Sequence, residues 1–219
     1  MRLPRPAFVI SAVCATLAGA LLLLRPGEDT PLPADEDRRL LDSLLDEVRT
    51  VPRRVHVVGY DRSHFGGWET GVTAEGALCT TRERVMLDVF DAATPADSGR
   101  TTCPRAEGSA TDVYTGDLIS PSDVEIDHVV PLAAAWDHGA HAWDRTARVA
   151  FANDLRLNLL AVSGSANQAK SDGTPAEWLP PLSGAAPCAY VARYLTVSVD
   201  YGLSVSEADA SAARRACRL

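Results

Sequence analysis

The chain reads as an α+β domain: a strand, an excursion, a second strand and a short helix form its centre, with helices on the flanks and disulfides as staples. Three observations predict it. Residues 34–49 repeat leucine at helical spacing, residues 123–130 alternate acid with aliphatic at period two, and the cysteines beyond residue 25 are even in number. A hydrophobic content of 46% over 219 residues supplies one good core and is thin for two.

The N-terminus comes first. Arg2 and Arg5 precede an apolar run from Ala7 to Leu24, closed by Arg25, Pro26 and Gly27. A short basic stretch followed by an apolar one is the pattern of an export signal. The run is long for a signal and near the lower limit for a membrane span. Ala18-Gly19-Ala20 offers small residues for cleavage, yet four leucines follow. Over residues 1–25, a cleaved signal peptide and a retained membrane anchor therefore both stand. Either way the rest of the chain is expected outside the cytoplasm, secreted or anchored extracellularly.

Residues 26–33 read as a linker, and 34–219 as a single domain. Leu40, Leu41, Leu44, Leu45 and Val48 form the apolar stripe of a first helix, which Pro52 ends. Arg54 to Val58 reads as a short β-branched strand, and Tyr60 to Trp68 as a Gly-bearing loop. Thr80 or Thr81 can cap a helix carrying Val85, Met86, Val89 and Phe90. Residues 91–122 are rich in turn formers and offer at most one short strand, near Val113. From Asp123 to Val130, Val124, Ile126 and His128 share one face, and Asp123, Glu125 and Asp127 the other. Pro131 stops this strand. Short helices follow from Leu132 to Trp136 and from Arg145 to Asn153. Leu157 to Val162 is again strand-like, and Ser163 or Ser165 can cap a helix through Asn167 and Lys170. A helix pair at about 187–200 and 206–217 closes the chain.

Setting aside Cys14, which lies in the apolar run, leaves Cys79, Cys103, Cys188 and Cys217. Four cysteines permit three pairings. Cys79–Cys103 and Cys188–Cys217 are favoured because each closes a local loop, and the lack of C-x-x-C spacing argues against a metal. Charge points away from nucleic acid. The chain carries a formal net charge of −8, and losing Arg2, Arg5 and Arg25 makes it more acidic still. Phosphate neutralisation supplies most non-specific affinity, so arginines would have to cluster locally.

The chemistry gathers around Asp127-His128, Asn158 and Asn167. Hydrolysing a phosphodiester needs an activated water, a Lewis acid on the phosphate and stabilisation of the leaving oxygen. Histidine titrates nearest neutral pH and is the natural general base. A carboxylate with an amide oxygen is a hard donor set that leaves room for water, which suits Mg²⁺, or Mn²⁺, better than Zn²⁺.

Val124-Glu125-Ile126-Asp127-His128-Val129-Val130-Pro131-Leu132, then Asn158-Leu159-Leu160, then Asn167-Gln168-Ala169-Lys170-Ser171-Asp172 together resemble the HNH, or ββα-metal, endonucleases. The similarity is to the small exported HNH endonucleases of actinobacteria and to the HNH domain of RNA-guided CRISPR effector nucleases. It covers residues 123–180 closely, and reaches more weakly to Tyr60, Arg62, Phe65, Trp68 and Cys79 to Arg82. The resemblance implies Asp127 and Asn167 as metal ligands, His128 as general base, Asn158 bracing the strand pair and orienting the histidine, and Lys170 touching phosphate or steadying the site. It implies cleavage to 5′-phosphate and 3′-hydroxyl ends; beside it, the expected partner is nucleic acid, DNA before RNA, cut with low sequence specificity by a monomer.

Plainer readings stand beside these. Asn158 can be a turn residue and Lys170 a solvated lysine. Glu125 can be an exposed strand acid or join the metal shell. Arg62 and Arg82 can contact phosphate or lock a carboxylate. His138 and His141 read as surface histidines, and a zinc hydrolase built on them with His128 lacks a recognisable ligand grouping. The four tryptophans read as core. From a different class, a catalytically silent exported module could use the same scaffold to bind a partner, and the acidity supports it.

Overall fold

The computed structural model describes residues 34–93 and 102–218. The apolar run Ala7–Leu24, with the signal or anchor expected there, lies outside the described residues. Among those described, no helix is long and apolar enough to cross a membrane.

The helices are α1 (Ala34–Glu47), α2 (Thr81–Val89), α3 (Leu132–His138), α4 (Arg145–Ala152), α5 (Gly164–Lys170), α6 (Ala186–Asp200) and α7 (Glu207–Cys217). The strands are short and pair two by two. They are β1 (Arg49–Val51), β2 (Thr70–Val72), β3 (Leu78–Thr80), β4 (Asp91–Ala92), β5 (Ala106–Glu107), β6 (Ala110–Thr111), β7 (Leu118–Ile119), β8 (Val124–His128), β9 (Leu159–Ser163) and β10 (Ser204–Ser206). A mixed α+β architecture results, as the sequence predicts.

β8 and β9 are antiparallel, from Val124 opposite Ser163 to His128 opposite Leu159. The excursion between them carries α3 and α4, and α5 starts directly where β9 ends. Ser163 caps α5 by accepting the Ala166 N–H. Both faces of the pair are covered. Val124, Ile126, Leu159 and Ala161 pack with Val85, Met86 and Phe90 of α2 and its C-terminal end, while α5 lies over the other face. The period-two pattern at 123–130 therefore separates two interiors rather than an interior from solvent, and Asp127 is buried like its aliphatic neighbours.

The larger core collects Leu41, Leu44 and Leu45 of α1 with Val191, Tyr194 and Leu195 of α6 and with Phe151, Val162 and Tyr114. Leu40, expected in the α1 stripe, is 46% exposed. Thr80 caps α2 through a reciprocal box with Glu83. Residues 91–122, expected to hold at most one short strand, carry β4 to β7, and two expected strands are displaced. The strand expected at Arg54–Val58 forms instead at Arg49–Val51, because β1 finds a parallel partner in β10, which no local pattern announced. Val113 sits in a turn between β6 and β7 and is 51% exposed; Asp112 bonds to the Tyr114 N–H and the Ser163 N–H, tying that turn to the end of β9.

The disulfides are Cys79–Cys103 and Cys188–Cys217, as the loop lengths favour. The second ties the start of α6 to the end of α7. Cys188→Ala/Cys217→Ala should lower stability by ~2–5 kcal/mol, the usual range for a native bridge in a small exported domain. Urea unfolding measures it, and a midpoint unchanged by the double substitution would mean the bridge adds nothing to the α6–α7 packing.

Candidate active site

The excursion returns to the strand it left, and one side chain makes the join. Asn158 is fully buried; its Oδ1 accepts the Val130 N–H at 2.9 Å, its Nδ2 donates to Phe151 O, and its backbone carbonyl accepts the Val129 N–H. The bonds to Val129 and Val130 hold the chain just past β8 against the start of β9, and the bond to Phe151 ties the same point to α4. Arg193 of α6 clamps the same place through the carbonyls of Leu157 and Leu159.

His128 ends β8 and is 5% exposed. Its Nε2 lies 2.9 Å from the carbonyl of Ala152, the last residue of α4. A carbonyl only accepts, so Nε2 carries the hydrogen and Nδ1 keeps a bare lone pair. Trp68 stacks on the ring, with centroids 5.7 Å apart and planes within 7°. Burial pushes His128 down to about 4, and the nearby charges of Arg62 and Lys170 push in the same direction, so the ring is neutral at pH 7.

Asp127 and Lys170 form a buried pair. Lys170 Nζ lies 2.9 Å from the Asp127 carboxylate and donates to His128 O at 2.8 Å, with its side chain wholly shielded from solvent. Tyr114, also buried, donates its hydroxyl to Asp127 Oδ2 at 2.6 Å. Burial drives the Asp127 carboxyl upward and the Lys170 ammonium downward, and their mutual attraction opposes both shifts. Lys170 is thus an internal counter-ion of Asp127, with its Nζ engaged by that carboxylate and by His128 O.

Asn167 lies one turn before Lys170 on α5. Its Nδ2 donates to Glu125 Oε2 at 2.7 Å, and Gln168 Nε2 donates to Glu125 Oε1 at 3.1 Å. Because a carboxylate only accepts, the amide is held with Nδ2 toward Glu125 and Oδ1 turned away from it. Gly164 makes room: a Cβ there would stand 3.1 Å from Glu125 Oε1. Glu125 orients Asn167 instead of projecting freely from an exposed strand.

Asp127, His128, Asn167 and Arg62 line one cleft of about 840 Å³. Arg62 also reaches a smaller cavity beside the imidazole, formed with Trp68 and Ala152. Arg82 is elsewhere; it donates to Val124 O and braces β8. The four-cysteine framework stands away from the cleft. Among the described residues no group of three or more His, Cys, Asp and Glu could hold a metal, so a cation here would rest on Asp127, the Asn167 amide oxygen and water. Tyr114 and Lys170 both crowd Asp127 Oδ2, so a cation would reach the carboxylate through the remaining lone pair of Oδ1. Such a donor set fits a hydrated hard cation and is unlike a zinc site.

Residues 97–213, more than half of the chain, match the family described as GmrSD restriction endonucleases, C-terminal domain. The chain belongs to this family. A relative from Arthroderma benhamiae, named an uncharacterized secreted protein, is 36% identical over 200 residues, covering 90% of this chain and 93% of its own. No solved structure matches the chain. The GmrSD C-terminal match spans β8, β9, α5 and Tyr114, whose role the sequence reading missed along with those of Trp68 and the Ala152 carbonyl. Tyr114 stood among turn formers with no periodic pattern, and a backbone carbonyl leaves no trace in residue type.

Lys170→Met should destabilise the fold by ~3–5 kcal/mol, because it strands a buried carboxylate. Adding Asp127→Leu should recover part of that loss. Urea unfolding of the single and double variants decides it; a single variant as stable as the parent would place Lys170 in solvent.

Proposed function

We propose that the chain is an exported, metal-dependent endonuclease with an HNH-type ββα-metal centre, hydrolysing nucleic acid with His128 as general base. The observation that carries the reading is the tautomer of His128: the bond from Nε2–H to Ala152 O leaves Nδ1 free to accept a proton in the cleft that Asp127 and Asn167 share. Membership of a restriction-endonuclease family supports the substrate class, and the name of the Arthroderma benhamiae relative supports export.

His128 Nδ1 takes a proton from the attacking water as its oxygen bonds to phosphorus. The bond from phosphorus to the 3′ oxygen breaks on the opposite side, and that oxygen is protonated from solvent, which leaves 5′-phosphate and 3′-hydroxyl ends. The Ala152 carbonyl and the face of Trp68 hold the ring in position, and the carbonyl stabilises the imidazolium that forms. Of the two arginines lining the cleft, Arg54 is ion-paired and Arg62 would meet a phosphate. Asp127 and Asn167 would hold Mg²⁺, with Mn²⁺ as a substitute, which would supply the Lewis acid for the phosphate and the leaving oxygen. DNA is the favoured substrate.

His128→Ala should reduce Mg²⁺-dependent plasmid nicking by more than ~10²-fold, the scale of a lost general base, while the chain stays folded. Wild-type nicking by the variant removes His128 from the chemistry, and a parent chain that cuts neither DNA nor RNA turns the reading to a silent binding module. Glu125→Gln should raise the Mg²⁺ concentration for half-maximal nicking by ~10-fold, the lower scale for disturbing a ligand's support, because glutamine can donate and no longer holds the Asn167 amide one way round. Asn167→Ala should raise it further. A Mg²⁺ titration unmoved by both substitutions would take Asn167 out of the metal shell.

A further inference from the structure

A second cavity opens beside the cleft. It has a volume of about 380 Å³ and is lined by Arg49, Arg53, His138, His141 and Ser204, with Asp137 common to it and the cleft. Asp137 is the sole acid of its lining, and that carboxylate is already engaged. It accepts from Arg54 Nε at 2.8 Å and from the Val57 N–H at 2.8 Å, and His56 Nδ1 lies 3.0 Å away. Arg54 is also paired with Asp172 and Glu177. Arg49 and Arg53 are exposed, and neither has an ion pair among the described residues.

His138 is 3% exposed. The Ser204 hydroxyl lies 3.2 Å from His138 O and 3.2 Å from His138 Nδ1. The carbonyl can only accept, so the hydroxyl donates to it and its oxygen receives Nδ1–H. Nε2 is left without a hydrogen, buried and unpartnered, which is the state of a group awaiting a ligand or a proton. His141 is set the same way, with Nδ1 donating to Trp136 O at 2.8 Å. Bare imidazole nitrogens suit a cation when carboxylates or thiolates accompany them. Here the companions are the two guanidiniums of Arg49 and Arg53, and the balance favours an anion held by them.

We propose that this cavity binds a second phosphate of the nucleic-acid strand, with Arg49 and Arg53 as its direct ligands. This rests on the nuclease reading of the cleft and extends it. The strand crosses from the cleft over the Arg54–Asp137 pair into the cavity. Between residues 49 and 62 stand Arg49, Arg53, Arg54 and Arg62 with Asp61 as the sole acid, so an acidic chain carries its phosphate recognition in one local segment.

Binding of a fluorescently labelled DNA duplex to the full chain, in EDTA so that nothing is cut, tests the site between about 50 and 200 mM salt. Arg49→Ala/Arg53→Ala should weaken binding by ~10-fold and reduce the slope of log affinity against log salt by about 1, the change for one lost phosphate contact. Arg49→Lys/Arg53→Lys should keep most of the slope, and the alanine variant should melt with the parent because both side chains are exposed. Equal affinity and slope for parent and alanine variant, in a parent that nicks plasmid, overturns this site and leaves the cleft reading intact. A parent that neither binds the duplex nor cuts any nucleic acid overturns both.

Discussion

The arrangement at the cleft depends on burying one lysine. Lys170 ends α5 and reaches through the interior to the Asp127 carboxylate and the His128 carbonyl, at the last two positions of β8. Two buried charges in contact add little net stability over an apolar pair, but neither tolerates loss of the other. The pair therefore acts as a register pin. It sets α5 on β8 in one place, and Asn167, one turn back on the same helix, then meets Glu125 and lines the same cleft as Asp127.

What the pin does for α5, Asn158 and Ala152 do for the excursion. Asn158 closes the return to β8 with bonds to Val130 and Phe151. The same closure brings the C-terminal end of α4 beneath the histidine, so that Ala152 O selects the ring's tautomer. Orientation is imposed from outside on each of the proposed site groups: a carbonyl for His128, a carboxylate for Asn167, a phenol and an ammonium for Asp127. Proton transfer and metal binding are both steep in geometry, and supports of this kind place donors without asking the reacting groups to reorganise.

The acidity of the chain and its reading as a nuclease are reconciled by placement. Net charge sets long-range attraction, which works against this protein's meeting a polyanion, whereas phosphate contact is local. Arg62 faces the cleft, and Arg49 and Arg53 face the cavity next to it, while Arg54 is absorbed into the acids that shape the wall between them. Arginines elsewhere serve the fold: Arg82 holds β8 and Arg193 holds β9 through backbone carbonyls.

Much of this was legible in residue order because it is local. Helical spacing marks α1, a Thr and a Glu three apart mark the start of α2, alternation marks β8, and loop length favours both disulfides. Asp127, His128, Asn158 and Asn167 could be named as a constellation from type and spacing, and the resemblance to the HNH endonucleases added Lys170. Their surroundings could not. The parallel pairing of β1 with β10, the burial of Lys170, the Tyr114 bond to Asp127, the Trp68 stack on His128 and the hold of Glu125 on Asn167 all join residues distant in sequence. Each follows from which faces the packed elements turn toward one another. The chain alone determined which chemical groups were available and on which elements they would ride. Tertiary packing decided which were desolvated, which oxygen or nitrogen each presents, and what each touches, because those depend on neighbours that only the folded interior supplies.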